Sequence, residues 1–239
     1  MCQDGRLYDT EVRFVLRISP HGRREVAIAC LVFGALAFGL GSIHLALGVV
    51  PLVGIVAIAG FFRDPRRSVP DGAGLLVSPA DGKVADIGEV EESEFVRGRA
   101  VRIGIFLSVF NVHVNRAPCA GQVEYVRHRP GKFGAAFTAE STRDNESNAL
   151  GLRTAVGDPI LVRQITGAIA RRIVCAVAPG DALARGERFG LIKFGSRTEV
   201  FVPIEKLREL RVRVGDKVRG GSDVLALLET ADSTSGDAS

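Results

Sequence analysis

The chain divides in two by its pattern of polar and apolar positions. From Val26 to Phe62 no residue carries a formal charge, whereas beyond Phe62 charges recur every few residues. As one straight helix the uncharged run would be about 55 Å long, against a hydrocarbon core of about 30 Å. It is therefore expected to bend. Gly39-Leu40-Gly41-Ser42 and Gly48-Val49-Val50-Pro51 are the candidate break points. Arg23 and Arg24 precede the run, and Arg63, Arg66 and Arg67 follow it. Basic flanks at both ends place both on the cytoplasmic side of a membrane and predict a hairpin. Each arm is short, so a shallow re-entrant hairpin competes with two full spans. A cleaved signal sequence fits less well, because the run starts late, is too long and lacks a small-residue cleavage site. A buried helix pair of a soluble protein would rarely be uncharged over such a length.

From about Pro70 onward, glycines and prolines punctuate short apolar runs. Leu75–Val77, Val101–Leu107, Gln122–Val126, Ala155–Ile165, Ile173–Val177, Gly190–Phe194, Glu199–Val202 and Val224–Leu228 read as strands. Helices are expected around Val109–Val114, Ser141–Asn148 and Ile204–Leu210. Gly180-Asp181-Ala182-Leu183-Ala184-Arg185-Gly186-Glu187 echoes Gly215-Asp216-Lys217-Val218-Arg219-Gly220-Gly221-Ser222, each opening on a Gly-Asp turn and closing on a second turn. The echo resembles the hairpins of lipoyl- and biotinyl-type β-sandwiches, although two unrelated hairpins can share this turn chemistry. The expected architecture is mainly β (α+β), a barrel-sandwich-like domain behind an N-terminal hydrophobic helical hairpin. The expected segments are a polar stretch 1–25, the hairpin 26–62, a catalytic domain 63–229 and a small, polar, disordered tail 230–239.

Charge narrows the partners. Lys plus Arg is 31 and Asp plus Glu 27, a net charge of +4. That excess is too small to argue for nucleic acid, and no basic run is interleaved with aromatics. It suits anionic lipid. Cys2, Cys30, Cys119 and Cys175 are scattered, with no C-x-x-C pair, so neither a disulfide framework nor a zinc site is expected. With His21 near the start and His44 in the apolar run, His113 and His128 are the histidines placed for chemistry.

Five segments carry a resemblance. They are Phe61-Phe62-Arg63-Asp64-Pro65; Ser78-Pro79-Ala80-Asp81-Gly82-Lys83-Val84; Leu107-Ser108-Val109-Phe110-Asn111-Val112-His113-Val114-Asn115-Arg116-Ala117-Pro118; Pro130-Gly131-Lys132-Phe133 with Asn145-Glu146-Ser147-Asn148; and Phe194-Gly195-Ser196-Arg197. Each is weak alone. In this order and spacing the chain resembles the phosphatidylserine decarboxylases, in their short bacterial form, which process themselves and carry a pyruvoyl group.

The resemblance implies a cut at Gly195–Ser196. Ser196 Oγ attacks the Gly195 carbonyl and the amide becomes an ester. β-Elimination leaves dehydroalanine, and hydrolysis of the derived imine releases ammonia and leaves pyruvoyl at position 196. The products would be a β chain, 1–195, and an α chain, 196–239. A serine hydroxyl needs a base, and the resemblance points to His113, oriented by Asp81 in a triad-like arrangement. Long forms carry a second histidine three positions after the first; this chain has Arg116 there. In turnover the pyruvoyl ketone would form a Schiff base with the serine amine of phosphatidylserine, CO2 would leave, His113 would return the proton, and phosphatidylethanolamine would be released. Neither a metal nor a second cofactor is implied. Lys132, Glu146, Arg116 and Arg197 are candidates for the lipid head group, the arginines for its phosphodiester or carboxylate. The expected location is the cytoplasmic face of the cell membrane. The expected partners are the phospholipid, the membrane, the other half of the cut chain and, as an open alternative, a second copy in a homodimer.

Singly, these residues have ordinary readings: a turn aspartate, a core histidine, a turn serine, surface ion pairs. Two other functions compete. A lipoyl- or biotinyl-like carrier would expose its lysine at a hairpin tip, commonly beside methionine, but Lys193 lies in a predicted strand and Met1 is the one Met of the chain. A serine hydrolase built on Ser196, His113 and Asp81 would want a G-x-S-x-G elbow, which is missing. Both predict one intact chain.

Overall fold

The uncharged run folds as two helices in the computed structural model, which describes residues 17–132, 134, 144–167, 172–193 and 196–230. They are α1 (Arg23–Ile43) and α2 (Leu45–Phe61). The two are antiparallel: Gly54 faces the Phe33 ring, Gly48 faces Ala37 and Gly41, and the outer ends meet where Ser19 N donates to the Phe62 carbonyl at 2.9 Å. The hairpin expectation holds, but the break is at neither expected point. It falls at His44, whose backbone is extended and whose Nδ1 accepts from Ala46 N at 3.3 Å, capping α2. Gly39–Ser42 lies inside α1, and Pro51 inside α2. The glycines serve the crossing instead, since a Cβ on Gly48 would stand 2.8 Å from the Ala37 carbonyl.

Pro20–Ile43 is long and apolar enough to cross a membrane by length and composition, and α2 is shorter. Leu31, Phe38, Ile43, Leu45, Val50 and Val56 are exposed along the hairpin. Its foot is buried, with Phe61 and Phe62 packed on Val112, Val114 and Leu191.

The rest is β. In chain order the strands are β1 (Leu75–Val77), β2 (Gly82–Glu92), β3 (Gly98–Leu107), β4 (Val114–Arg116), β5 (Gly121–Arg129), β6 (Ser147–Arg153), β7 (Pro159–Thr166), β8 (Arg172–Cys175), β9 (Ala182–Leu183), β10 (Arg188–Lys193), β11 (Ser196–Pro203), β12 (Leu207–Leu210), β13 (Lys217–Val218) and β14 (Val224–Leu228). Eight form a curled antiparallel sheet in the order β13-β2-β3-β11-β7-β6-β5-β9, flanked by the three-stranded sheets β1-β14-β12 and β4-β10-β8. The mainly β expectation holds.

Both orders repeat under one substitution, β13, β2, β3, β11 for β9, β5, β6, β7 and β1, β14, β12 for β4, β10, β8. The fold is therefore two interleaved repeats related by a local two-fold axis, which passes at the Val200–Val162 pair. One repeat is continuous, β4 to β10; the other is β1 to β3 completed by β11 to β14. The Gly-Asp echo is the visible part of this symmetry. Gly180 and Gly215 share φ 102, Gly186 and Gly221 share φ 76, and the Gly180 and Gly215 amides each donate at 2.8 Å, to Val123 and Val84. Under the equivalence, Ser78-Pro79-Ala80-Asp81-Gly82-Lys83-Val84 overlays Ala117-Pro118-Cys119-Ala120-Gly121-Gln122-Val123.

The expected helices do not form among the described residues. Between Leu107 and Val114 the Asn111 side chain accepts from Ser108 N at 2.9 Å and Ser108 Oγ at 2.7 Å, closing a local turn that competes with helix. Ser147 and Asn148 begin β6, and residues 141–143 lie outside the described residues. Ile204–Leu210 is one short 3-10 turn followed by β12. Most of segments 1–25 and 230–239 also falls outside, at 1–16 and 231–239.

Candidate active site

Ser196 opens β11, the strand at the centre of the large sheet, paired with Leu107 on one side and Thr166 on the other. Alternation along β11 sends Ser196, Thr198, Val200 and Val202 to one face. Val200 and Val202 join the apolar core with Ile103, Ile105, Ile160 and Val162. Toward Ser196 the same face turns polar. Thr198 accepts from Asn115 at 3.1 Å, Asn115 accepts from Gln164 at 2.9 Å, and Gln164 accepts from Asn148 at 3.0 Å, all of them buried. This chain is internally satisfied. Ser196 is not: its fully buried Oγ has no hydrogen-bond partner among the described residues. An orphaned buried hydroxyl costs about 1–3 kcal/mol and calls for a chemical reason. Gly195, on the other side of the expected cut, lies outside the described residues, as does Phe194.

His113 sits in the turn before β4, fully buried, its ring centroid 4.2 Å from that of Phe61 at the hairpin foot. Its Nδ1 is 2.9 Å from the Asn111 carbonyl. Burial pushes its pKa down to about 4; the Asn111 carbonyl opposes this and the nearby Arg63 charge adds to it. The ring is thus neutral at physiological pH. With Nδ1 donating to a carbonyl, the lone pair stands on Nε2. The His113 carbonyl accepts from Ile192 N at 3.1 Å, which ties the turn to β10, the strand that runs toward Ser196.

Asp81, at the start of β2, accepts from Arg67 Nη2 at 2.9 and 2.8 Å and from the Gly220 amide at 2.8 Å. Its described hydrogen bonds go to these groups and not to His113. The orienting carbonyl for His113 is Asn111. Both Asp81 and Asn111 line one cleft of about 730 Å³, together with Lys83, Phe106, Ser108 and Lys217.

The other candidates are spread out. Arg197 is fully buried on the opposite sheet face from Ser196, with Nε on Glu199 at 2.9 Å and Nη2 on Asp86 at 2.7 Å. Its guanidinium lies over Gly104, where any side chain would collide with it. Arg116 is buried too. It donates to Asp64 at 2.7 Å and to the Gly186 carbonyl at 3.0 Å, and burial lowers its pKa while Asp64 opposes. Lys132 pairs with Asp144 at 3.1 Å in the open, and Glu146 meets His128 at 3.0 Å. The Glu146 carbonyl accepts from Thr166 N at 2.9 Å, so its backbone is one strand removed from Ser196. Sequence reasoning passed over Asn111, although it lies within the quoted histidine segment, and treated Arg67 only as a membrane flank.

The family model described as Phosphatidylserine decarboxylase matches residues 57–226. The chain is 46% identical over 205 residues to the phosphatidylserine decarboxylase proenzyme of Carboxydothermus hydrogenoformans, covering 85% of this chain and 92% of the relative. It is 51% identical over 187 residues to that of Symbiobacterium thermophilum, covering 78% and 86%. With the Ruegeria pomeroyi protein of the same name it shares 44% over 219 residues, 90% of this chain and 97% of the relative.

Proposed function

Since this chain belongs to the phosphatidylserine decarboxylase family, we propose that it converts phosphatidylserine to phosphatidylethanolamine and CO2 after cutting itself between Gly195 and Ser196. The observation that carries this reading is the buried Ser196 hydroxyl at the head of β11, without a described hydrogen-bond partner, at the polar end of an otherwise apolar face. A hydroxyl left so can turn on its own backbone, and the preceding peptide is the carbonyl nearest along the chain. The proenzyme names of the relatives fit such processing.

Position 196 suits a pyruvoyl group. Converting the serine removes the one buried hydroxyl that the described structure leaves unsatisfied. The group would supply a ketone that takes up the substrate amine and withdraws electrons as the bond to the carboxylate breaks. The chain's own residues do the rest. His113 Nε2 serves as base for the Ser196 hydroxyl and as proton carrier in turnover, its ring fixed by Asn111 and Phe61. Asp81 acts through the cleft it shares with Asn111, braced by Arg67 and Gly220. Arg197 and Arg116, both enclosed in ion pairs, hold the scaffold; Lys132 and Glu146 pair with Asp144 and His128. The exposed apolar hairpin would dip into the bilayer, with the basic flanks on the cytoplasmic face. A carrier role is disfavoured because Lys193 is largely buried and bonded to Glu25 of α1.

Intact mass of the purified protein tests the reading. Two fragments are expected, 1–195 and 196–239, the second resistant to Edman chemistry, and Ser196→Ala should stay uncut and inactive. A single uncut wild-type chain with full decarboxylase activity would overturn it.

A further inference from the structure

Lys217 and Lys83 are directly opposite each other on antiparallel β13 and β2. Like charges so placed repel and weaken a strand pair. Neither lysine forms an ion pair among the described residues, and both are exposed. The carboxylates that share their cleft are already committed, Asp81 to Arg67 and Asp223 to Arg219. The fold contains its own control. In the other repeat the equivalent hairpin places Ala182 opposite Gln122, with the same turn geometry and the same short pairing. The backbone therefore forms without the lysines. At the matching positions one repeat carries Asp81, Lys83, Lys217 and Arg219, and the other carries Ala120, Gln122, Ala182 and Ala184. At these four positions charge stands in one repeat only, around a cleft of about 730 Å³.

That repeat is the one that carries Ser196. Lys83 pairs with Phe106, and Phe106 pairs with Arg197, the second residue after the expected cut. Two strand spacings, about 10 Å, thus separate the Lys83 backbone from that of Arg197. This register puts the Lys83 side chain on the Arg197 face, so a bound group would reach position 196 round the strand end where β3 stops at Leu107 and β11 begins. The same cleft is lined by Asn111, which holds His113, and Asn111 follows Val109 and Phe110, both exposed. The Phe110 carbonyl accepts from Arg63 at the hairpin foot at 2.6 Å, so the apolar turn and the hairpin are tied together.

From these relations the geometry points to Lys83 and Lys217 as the site that grips the phosphodiester of the substrate lipid's head group. A phosphodiester supplies the negative charge that the opposed lysines lack, and its linkage to the serine moiety fits a site next to the strand end that bears position 196. Lysine acts here as a point charge rather than a fork, which suits a group that must leave after each turnover. The assignment rests on the decarboxylase reading.

Its test uses the full chain in neutral detergent, as wild type and as Lys83→Gln, Lys217→Gln and the double variant. Calorimetry with glycerophosphoserine reads binding without lipid or catalysis, and inorganic phosphate is the control. Wild type should bind glycerophosphoserine, and the double variant, which loses both charge-assisted contacts, should bind at least about tenfold more weakly. In phosphatidylserine micelles KM should rise by a similar factor, with a smaller change in kcat. Self-cleavage should be complete in all variants, and melting temperatures equal to or above wild type, because a repulsion has been removed. Unchanged glycerophosphoserine affinity in the double variant would overturn the site. So would inorganic phosphate binding as tightly as glycerophosphoserine, which would make it a free-anion site. A defect confined to anionic vesicles and absent in neutral micelles would overturn it in favour of general membrane attraction. An uncut wild type that releases no CO2 would instead remove the decarboxylase reading, while the calorimetric comparison would still decide the anion site.

Discussion

His113 Nδ1 lies 2.9 Å from the carbonyl oxygen of Asn111, and this contact decides which ring nitrogen can act as a base. A backbone carbonyl only accepts, so Nδ1 keeps the proton and Nε2 the lone pair. A carboxylate in the same place would also stabilise the charged ring; a carbonyl does so far less. Burial then dominates and holds the ring neutral.

That neutrality has a stability signature. The His113 pKa is about 4 in the fold, against 6.5 in the unfolded chain. Between those values the unfolded chain takes up a proton and the fold does not. Stability should therefore be full above pH 6.5 and fall as the pH drops toward 4, by an amount of order 3 kcal/mol at the limit. Melting curves of Ser196→Ala, which keeps one chain throughout, should show this decline. Adding His113→Asn should flatten that part of the profile. An identical slope with and without His113 would assign the titration elsewhere.

Asp81 and Arg67 should behave as one unit. The Asp81 carboxylate takes two contacts from Arg67 Nη2, with the side chains only 13% and 10% exposed. Asp81→Asn loses a charge-assisted pair and should cost about 1.5–3 kcal/mol. If Arg67 is what fixes the carboxylate, Arg67→Met should slow self-cleavage nearly as much as Asp81→Asn, and the double variant should add little. Gel analysis of the cut fraction over time makes the comparison. Normal cleavage in Arg67→Met would show that Asp81 works without its brace.

What could be read from the chain followed from how strongly each segment is patterned. The helical hairpin was legible because so long an uncharged run suits little besides paired apolar helices, but its turn was not. Gly and Pro drew the break to 39–42 and 48–51, while the glycines are used for helix crossing and His44 caps α2 itself. Strands buried on both faces, such as β3, were plain. β2 was not, because Lys83, Glu89 and Glu91 alternate with core residues and look like loop. The internal symmetry showed only in the Gly-Asp turns. Its other half was hidden where one repeat carries Asp81 and the other Ala120, and because one repeat is inserted in the other. Ser196 and His113 stand out as candidates by the segments that carry them. The partner of His113 was not, since a backbone carbonyl leaves no mark in a sequence.

Gly104 is required by Arg197. A Cβ at residue 104 would run into the Arg197 guanidinium, which has no exposed surface to retreat to. Gly104→Ala should break the pairing with Asp86 and Glu199 and lower stability by about 3–5 kcal/mol, the usual cost of unpairing a buried charge. Arg197→Met in the same background should recover part of the loss by removing both the clash and the stranded charge. Thermal melting of the two variants checks this. A Gly104→Ala protein as stable as wild type would mean that Arg197 can move, and would reopen a role for it toward substrate.

Arg116 stands where long forms carry a second histidine, and the fold gives it a different task. Its side chain is 6% exposed and that of Asp64 5%, and Asp64 also meets Arg188. Asp64 follows directly on the hairpin foot, while the Gly186 carbonyl that Arg116 also reaches belongs to the β9–β10 turn. The arginine thus clamps the exit of the hairpin to the β domain. Arg116→Met should leave the Asp64 carboxylate with the half-exposed Arg188 alone and cost about 1.5–3 kcal/mol, whereas a surface head-group contact would leave stability untouched and raise KM alone. Pairing it with Asp64→Leu should restore much of the loss, because a buried ion pair replaced on both sides by apolar groups is often tolerated. Melting temperature and KM measured on the same three proteins separate the two roles. A raised KM at unchanged melting temperature in Arg116→Met would return the residue to the substrate site.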